Sequence, residues 1–291
     1  MNFGYYPGCS LSGTGREFDK SLKEVLKVLD VKLDEVKDWS CCGASSAHVT
    51  SHFLSVALPA RNLILAKEQN LENVVAPCAA CYNRLLGAQE EMNSNPILKE
   101  KVESAIEKKY TNHLNILNLV DLFNNIGLDK VKEKVKHPLK NINAACYYGC
   151  LLVRPSSLTK FDDAEQPEEM EKIITTLGGK AVEWNYKVEC CGAAHSIAHT
   201  EIVKNLSKKI LDDAIKNNAD VIVVACPMCH SNLDMRQKNI VKENKDFKEI
   251  PVLYLTELMG LAFGIDEKKL GLDLHFIDAM KLSKKLEEAA V

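Results

Sequence analysis

Hydrophobic positions along the chain follow two recurring patterns. Residues 219–225 contain a run of β-branched apolar side chains without polar alternation, which is typical of a strand buried on both faces of a parallel sheet. Residues 18–29, 53–67 and 202–216 instead repeat apolar side chains every three or four positions, which predicts amphipathic helices. Strands that alternate with helices in this way predict an α/β fold whose parallel sheets are flanked by helices.

The cysteines indicate that the chain carries one plan twice. Each half has a Gly-Cys pair, then Cys-Cys-Gly, then Cys-x-x-Cys, and four of the five second-half cysteines follow their counterparts by 148 or 149 residues. The first offset is 141 residues, because about eight residues are added between Cys150 and Cys190. Segments 154–157 and 162–167 in that stretch are rich in Pro, Ser and Asp and predict a loop. An internal duplication is the simplest account of the match.

The duplication predicts two Rossmann-like domains related by a pseudo-twofold axis. The Lys-rich segment 129–140 separates the two sets of cysteines, so we expect one domain over residues 1–140 and the second over residues 141–291. In a parallel sheet the carboxyl ends of the strands lie along one edge, where ligands bind. Cysteines that directly follow strands should therefore converge at that edge in each domain.

Composition and charge narrow the classes of partner and the use of the cysteines. With 46% hydrophobic residues, 26% charged residues and a net charge of −3, the chain has no basic surface pattern for nucleic acid. The first residues lack the pattern of a signal peptide, and no run of about 18 apolar residues could span a bilayer. We therefore expect a cytoplasmic protein, in which eleven cysteines suit metal binding better than disulfides.

Three kinds of cysteine site can be compared with these motifs. A structural zinc site closes with four ligands, whereas each half offers five cysteines and places two of them side by side. A thioredoxin-like redox pair would use one Cys-x-x-Cys and leave the other cysteines without a role. Iron–sulfur clusters are held by thiolates and can use more ligands, which favours this class of site. The sequence lacks the ferredoxin run of cysteines, so a cluster other than the ferredoxin cubane is expected.

The pattern of one cysteine, Cys-Cys-Gly and Cys-x-x-Cys, present twice, resembles the CCG domain pair in the B subunit of heterodisulfide reductase from methanogenic archaea. The resemblance extends from residue 1 to about residue 260 and covers ten cysteines at matched spacing. It implies two noncubane 4Fe-4S clusters, each held by five cysteines. The implied ligands are Cys9, Cys41, Cys42, Cys78 and Cys81 for the first cluster, and Cys150, Cys190, Cys191, Cys226 and Cys229 for the second.

The resemblance also implies an activity and partners. In that family the B subunit reduces the disulfide of coenzyme M and coenzyme B to two thiols, between the two clusters, in methanogenesis. Electrons would come from the flavin-bearing A subunit through the ferredoxin-like C subunit, in a larger electron-bifurcating complex with a hydrogenase or formate dehydrogenase. An alternative role is electron transfer in a thiol:fumarate reductase or in a complex that oxidises lactate or glycolate.

Two pairs of histidines follow the Cys-Cys-Gly motifs and are candidates for proton delivery. His48 and His52, and likewise His195 and His199, would share a helix face if a helix follows each motif. The pairs do not superpose under the repeat offset. Packing or surface roles are therefore favoured for these histidines.

Three further side chains have alternative interpretations. Arg154 and Lys187 could hold anionic groups, although a solvated charge is the more common fate of such residues. Cys146 corresponds to Tyr5 in the first half, so it has no counterpart among the other cysteines. We expect Cys146 to be a buried strand cysteine and not a ligand.

Overall fold

Strands from the two halves form separate sheets. Within residues 1–44, 47–111 and 113–288, which the computed structural model describes, eight strands make two four-stranded sheets with parallel neighbours throughout. This confirms the predicted α/β fold with parallel sheets. The strands are β1 (Asn2–Tyr5), β2 (Lys32–Glu35), β3 (Asn73–Val75), β4 (Asn115–Leu117), β5 (Asn143–Tyr147), β6 (Lys180–Ala181), β7 (Val221–Val224) and β8 (Val252–Tyr254).

Helices connect the strands and flank the sheets. They are α1 (Gly8–Ser12), α2 (Arg16–Val28), α3 (Ala47–Thr50), α4 (His52–Glu68), α5 (Ala79–Ser94), α6 (Pro96–Ile106), α7 (Leu119–Ile126), α8 (Leu128–Glu133), α9 (Ser156–Thr159), α10 (Glu169–Thr176), α11 (Thr200–Lys216), α12 (Pro227–Met235), α13 (Gln237–Glu243), α14 (Leu255–Ala262), α15 (Glu267–Leu270) and α16 (Met280–Glu288). Two short 3-10 helices span Ala193–His195 and Leu272–Leu274. None of the helices in the described part of the chain is long and apolar enough to cross a membrane.

The two sheets have the same strand order, β2-β1-β3-β4 in the first and β6-β5-β7-β8 in the second. The chain therefore switches direction across the sheet between β1 and β3, and again between β5 and β7. Ligands of open α/β sheets bind outside the carboxyl ends of the strands at such a point. Cys9 and Cys78 follow β1 and β3 at this edge of the first sheet. Cys150 and Cys226 follow β5 and β7 in the second.

Most elements predicted from the hydrophobic pattern are present. α2, α4 and α11 fall on the three predicted helical segments, and β7 falls on the predicted strand, where all four of its residues are buried. One loop prediction is wrong, because α9 begins at Ser156 within the predicted loop 154–157. Pro155 precedes α9 with a φ of −69°, and proline suits the start of a helix because no N–H is needed there. Segment 162–167 has neither helix nor strand, as predicted.

Contacts between the halves are reciprocal. α1, which follows β1, packs against α12, and α5 packs against α9, which follows β5. These two pairings join corresponding elements, as expected for a pseudo-twofold arrangement. α2 also packs against α14, where the Phe18 and Tyr254 rings stack at 4.2 Å and the Ser21 and Thr256 hydroxyl oxygens are 2.7 Å apart.

The connection between the sheets contains α7 and α8. The first sheet ends at Leu117 and the second begins at Asn143. We propose the domain boundary near residue 140, which separates residues 1–140 from residues 141–291.

Candidate metal centres

The five predicted thiols of the first half meet at the carboxyl edge of the first sheet. Cys9 lies in α1, Cys78 precedes α5, and Cys81 lies in the first turn of α5. The loop after β2 brings in Cys41 and Cys42. The Cys42 and Cys81 sulfurs are 3.3 Å apart, and the Cys9 and Cys41 sulfurs are 4.0 Å apart. The predicted convergence is therefore present in the first half.

The second half repeats this arrangement. Cys226 precedes α12 and Cys229 lies in its first turn, as Cys78 and Cys81 do at α5. The sulfurs of Cys191 and Cys229 are 3.7 Å apart. The remaining two thiols of the set, Cys150 and Cys190, hydrogen-bond to each other. Both halves thus gather five thiols in the same way.

Equivalent tyrosines hold the Cys-Cys-Gly loops of the two sites. The Tyr6 hydroxyl donates to the Ser40 carbonyl oxygen at 2.7 Å. The Tyr147 hydroxyl donates to the Glu189 carbonyl oxygen at 2.6 Å. In each half the acceptor is the residue directly before the paired cysteines. Because both tyrosines are buried, these hydrogen bonds fix the loops from inside the core.

Two glycines bring the backbone against the last thiol of each site. Gly8 and Gly149 both have a φ of +65°, a left-handed conformation that favours glycine. A Cβ atom on Gly8 would lie 2.8 Å from the Cys81 sulfur, and one on Gly149 would lie 3.0 Å from the Cys229 sulfur. Both distances are tighter than ordinary contacts. The glycines therefore keep space open beside the thiols, which fits a group bound by them.

Gly8→Ala is expected to reduce metal binding at the first site. The added methyl group would meet the Cys81 sulfur, and alanine in a left-handed conformation costs about 1–2 kcal/mol. We expect the variant to lose about half of its iron, as measured by metal analysis of anaerobically purified protein. Gly127→Ala is the matched control, because Gly127 also has a positive φ but no described atom lies within 4 Å of its Cβ position. Wild-type iron content in Gly8→Ala would contradict this account.

The thiols shift one another's pKa values. Hydrogen bonds from Cys41 and then Cys81 lower the pKa of the Cys42 thiol to about 3. A hydrogen bond from Cys150 lowers the pKa of the Cys190 thiol to about 6. Thiolate is the form that binds metal. Five adjacent thiols cannot all ionise without a cationic group among them, so the donor set fits a cluster of several irons better than one four-coordinate zinc ion.

The two sites touch at their buried side. The Cys78 and Cys226 thiols, one from each half, hydrogen-bond to each other across the interface, and both are buried. Cys9, Cys41 and Cys190 are exposed. The two sets of thiols therefore form one composite centre with a buried middle and solvent-facing edges.

The histidine pairs do not lie on single helix faces. His48 belongs to α3, whereas His52 begins α4. His195 ends a 3-10 helix, and His199 precedes α11. All four are exposed, and His52 lies 3.4 Å from Glu91. These positions fit the favoured surface roles, although His48 and His52 also line a cavity.

Arg154 and Lys187 are both paired with carboxylates. The Arg154 guanidinium lies 2.8 Å from Glu165 at the surface. Lys187 is buried, and its ammonium group lies 2.6 Å from Glu171, so the expectation of a solvated charge is wrong for this lysine. Cys146 lies in β5 and is fully buried, as expected of a strand cysteine.

A buried group of ionisable side chains lies behind the second site, and the sequence patterns did not indicate it. His230 Nε2 lies 3.0 Å from the Val252 carbonyl oxygen and 3.4 Å from His275 Nδ1. His275 Nε2 in turn lies 2.8 Å from Glu257 Oε1. The available signal was the position of His230 directly after Cys229.

A cavity of about 380 Å³ between the halves was also missed. Its lining includes His48, His52 and Arg84 from the first half and Pro155 and Leu158 from the second. The offset of 148 residues that relates the Cys-x-x-Cys pairs places Asn232 opposite Arg84 in the repeat. This difference between otherwise matched positions was the signal available in the sequence.

The fold and its thiols define a class of duplicated α/β protein with two adjacent five-cysteine sites. Residues 3–86 and 144–234 match the family model described as CCG, cysteine-rich domain. The chain belongs to this family of CCG cysteine-rich-domain proteins. The two matched ranges contain all ten thiols of the composite centre.

Several relatives match nearly the whole chain. It is 34% identical to the 8-methylmenaquinol:fumarate reductase membrane anchor subunit of Wolinella succinogenes, over 96% of this chain and 98% of that protein. It is 28% identical to the B subunit of the ferredoxin:CoB-CoM heterodisulfide reductase of Methanosarcina mazei, over 97% of this chain and 95% of that protein. An Archaeoglobus profundus protein, described as like the heterodisulfide reductase B subunit, is 29% identical, over 92% and 93%. The resemblance inferred from the cysteine motifs is confirmed.

A solved structure supports the fold. The crystal structure of a hypothetical protein from Helicobacter pylori matches with a TM-score of 0.74 at 16% sequence identity. The match covers 94% of this chain and 51% of that chain, so this chain spans about half of the larger protein.

Proposed function

We propose that this chain is the disulfide-reducing subunit of a multi-subunit oxidoreductase, with the coenzyme M–coenzyme B heterodisulfide as its substrate. The observation that carries the proposal is the contact between the two thiol sites, where Cys78 meets Cys226. A disulfide has two sulfur atoms, and two matched sites offer one position for each. The relatives named after the heterodisulfide reductase B subunit support the same activity.

In this proposal the ten thiols hold two noncubane 4Fe-4S clusters. Five thiols per site exceed the four that a zinc ion uses, and the space kept by Gly8 and Gly149 fits a bound group. Bound clusters would supply single electrons and Lewis-acidic iron. The chain contributes the thiolates, the tyrosine hydrogen bonds that hold the loops, and the burial that excludes water from the Cys78–Cys226 contact.

The reaction converts one disulfide, two electrons and two protons into two thiols. The S–S bond breaks, and each sulfur takes up one electron and one proton. The electrons are proposed to come from a ferredoxin-like C subunit and a flavin-bearing A subunit, in a cytoplasmic complex with a hydrogenase or formate dehydrogenase. Relatives named as subunits of reductases support assembly with other chains.

A second candidate function is electron transfer in a thiol:fumarate reductase or a lactate- or glycolate-oxidising complex. The observation that favours the fumarate branch is the 34% identity to the Wolinella succinogenes protein, which extends over both halves. In this role the two sites would pass electrons to a partner protein and not to a disulfide. The exposed Cys9, Cys41 and Cys190 mark the edges where such a partner could approach.

Metal analysis of anaerobically purified protein tests the cofactor. We expect about eight irons and eight acid-labile sulfides per chain. Zinc in place of iron would contradict the cluster proposal, and about four irons would contradict two equivalent sites.

Reoxidation of the dithionite-reduced protein distinguishes the two functions. Addition of the coenzyme M–coenzyme B heterodisulfide should restore the absorbance of the oxidised protein and release two thiols per disulfide. If the heterodisulfide leaves the reduced protein unchanged, while a fumarate reductase partner reoxidises it, the electron-transfer role is the correct one.

A further inference from the structure

Arg84 is a half-buried cation on α5, one turn after Cys81. Among the residues that the structure describes, it makes no hydrogen bond or ion pair, and its Nε atom is buried without a partner. Buried guanidinium donors are normally matched by acceptors. An unpaired cation in this setting attracts anionic ligands.

The corresponding residue of the second half is fully engaged. The Asn232 side chain donates to the Cys191 carbonyl oxygen at 3.2 Å and to the Cys191 sulfur at 3.4 Å. It also accepts a hydrogen bond from the Ser196 hydroxyl at 2.8 Å. Asn232 thereby ties the Cys-Cys-Gly loop to α12. Arg84 makes none of these bonds, so the two sites differ at this position.

The cavity lined by Arg84 has the size of a small-molecule site. Its volume of about 380 Å³ lies within the usual range for such sites. Glu91 also lines the cavity, but its carboxylate lies 3.4 Å from His52 and is therefore engaged. Arg84 is the permanently charged cation of this lining.

The backbone around Arg84 is held in place by the second half. The Asn83 side chain donates to the carbonyl oxygens of Leu151 and Arg154, at 3.2 Å and 2.8 Å. These bonds join α5 to the segment that contributes Pro155 to the cavity. The guanidinium is thus presented from a fixed helix at the junction of the halves, which lowers the entropy cost of binding a ligand.

We propose that Arg84 binds the oxyanion group of a small acyclic substrate, namely a sulfonate, a phosphate or a carboxylate. This inference rests on the proposed function, because the cavity lies one helical turn from the first thiol site. A guanidinium can donate two parallel hydrogen bonds to such a group. Since Asn232 stands at the matching position of the second site, the oxyanion would fix which end of an unsymmetrical disulfide lies at the first site.

Calorimetric titration of the anaerobically purified, cluster-bearing protein tests this pocket. The probes are ethanesulfonate, inorganic phosphate and acetate, and the one that binds identifies the class of oxyanion. We expect Arg84→Gln to weaken that binding at least about tenfold, because a charge-assisted hydrogen bond is lost. Arg84→Lys should recover part of the affinity, since it keeps the charge but not the planar fork.

Arg61→Gln is the matched control. Arg61 belongs to the same half, but its guanidinium already pairs with Asp38 at the surface. This variant should bind the anion as the wild type does. Binding of none of the three probes, or equal binding by Arg84→Gln, would overturn the proposal. Arg84-dependent anion binding in a protein that does not reduce the heterodisulfide would preserve the pocket and reject the proposed substrate, so the two failures are distinguishable.

Discussion

Cys81→Ala should abolish disulfide reduction and remove about half of the iron, while the spectrum of the second site persists. The Cys81 sulfur lies 3.3 Å from that of Cys42, and replacing it leaves the first site one donor short. All five thiols of the second site come from the other half, so that site keeps its full donor set. Iron analysis, electron paramagnetic resonance and heterodisulfide reduction by reduced viologen are the measurements.

Cys146→Ala is the matched control for this experiment. Cys146 is fully buried in β5 and belongs to neither set of thiols. Its replacement should leave iron content and activity unchanged and cost about 1 kcal/mol of stability through lost packing. Wild-type heterodisulfide reduction by Cys81→Ala would contradict a reaction that needs both sites.

Glu257→Gln should lower the free energy of unfolding by about 3–5 kcal/mol. Glu257 is fully buried, and its two oxygens lie 2.8 Å from His275 Nε2 and 2.8 Å from the Tyr254 amide nitrogen. Loss of its charge leaves the His275 cation buried without compensation. Urea unfolding measures the change. Glu68→Gln is the control, because Glu68 pairs with Lys108 at the surface and should cost less than about 1 kcal/mol.

The pH dependence of stability gives a second readout of the same variant. Burial lowers the pKa of His275, but the carboxylate of Glu257, with those of Asp234 and Glu17, raises it to about 9. An unfolded histidine releases its proton near pH 6.5, so this contribution is complete below about pH 6.5 and is lost as the pH rises through about 9. The slope in that window reaches up to about 1.4 kcal/mol per pH unit. Glu257→Gln should flatten it, and equal slopes would contradict the role of the pair.

Hydrophobic periodicity predicted those elements that bury a face. α2, α4, α11 and β7 lie where the apolar pattern placed them. The pattern was silent for β2, whose sequence Lys-Leu-Asp-Glu is mostly exposed. β2 is an edge strand with one hydrogen-bonded neighbour, so it needs no apolar run on either face. The loop prediction at 154–157 failed for a local reason, since Pro155 marks the start of α9.

The thiols of each site were predictable because strand order and cysteine spacing act within one half. The features between the halves were not. The contact of Cys78 with Cys226, and the cavity beside Arg84, depend on how the two domains dock. Periodicity within a segment does not encode that docking. The burial of Lys187 against Glu171 was hidden for the same reason, because a charged residue is found in a buried position only through its partner.

The reciprocal packing of α1 with α12 and of α5 with α9 bears on how such a chain could arise. A patch that pairs with its own copy about a twofold axis is isologous, and it closes a dimer without leaving a free face. A single ancestral half could therefore have built the composite centre as a homodimer. Joining two copies in one polypeptide removed the requirement that both copies be identical. Arg84 in one half and Asn232 in the other are the kind of divergence that this freedom permits.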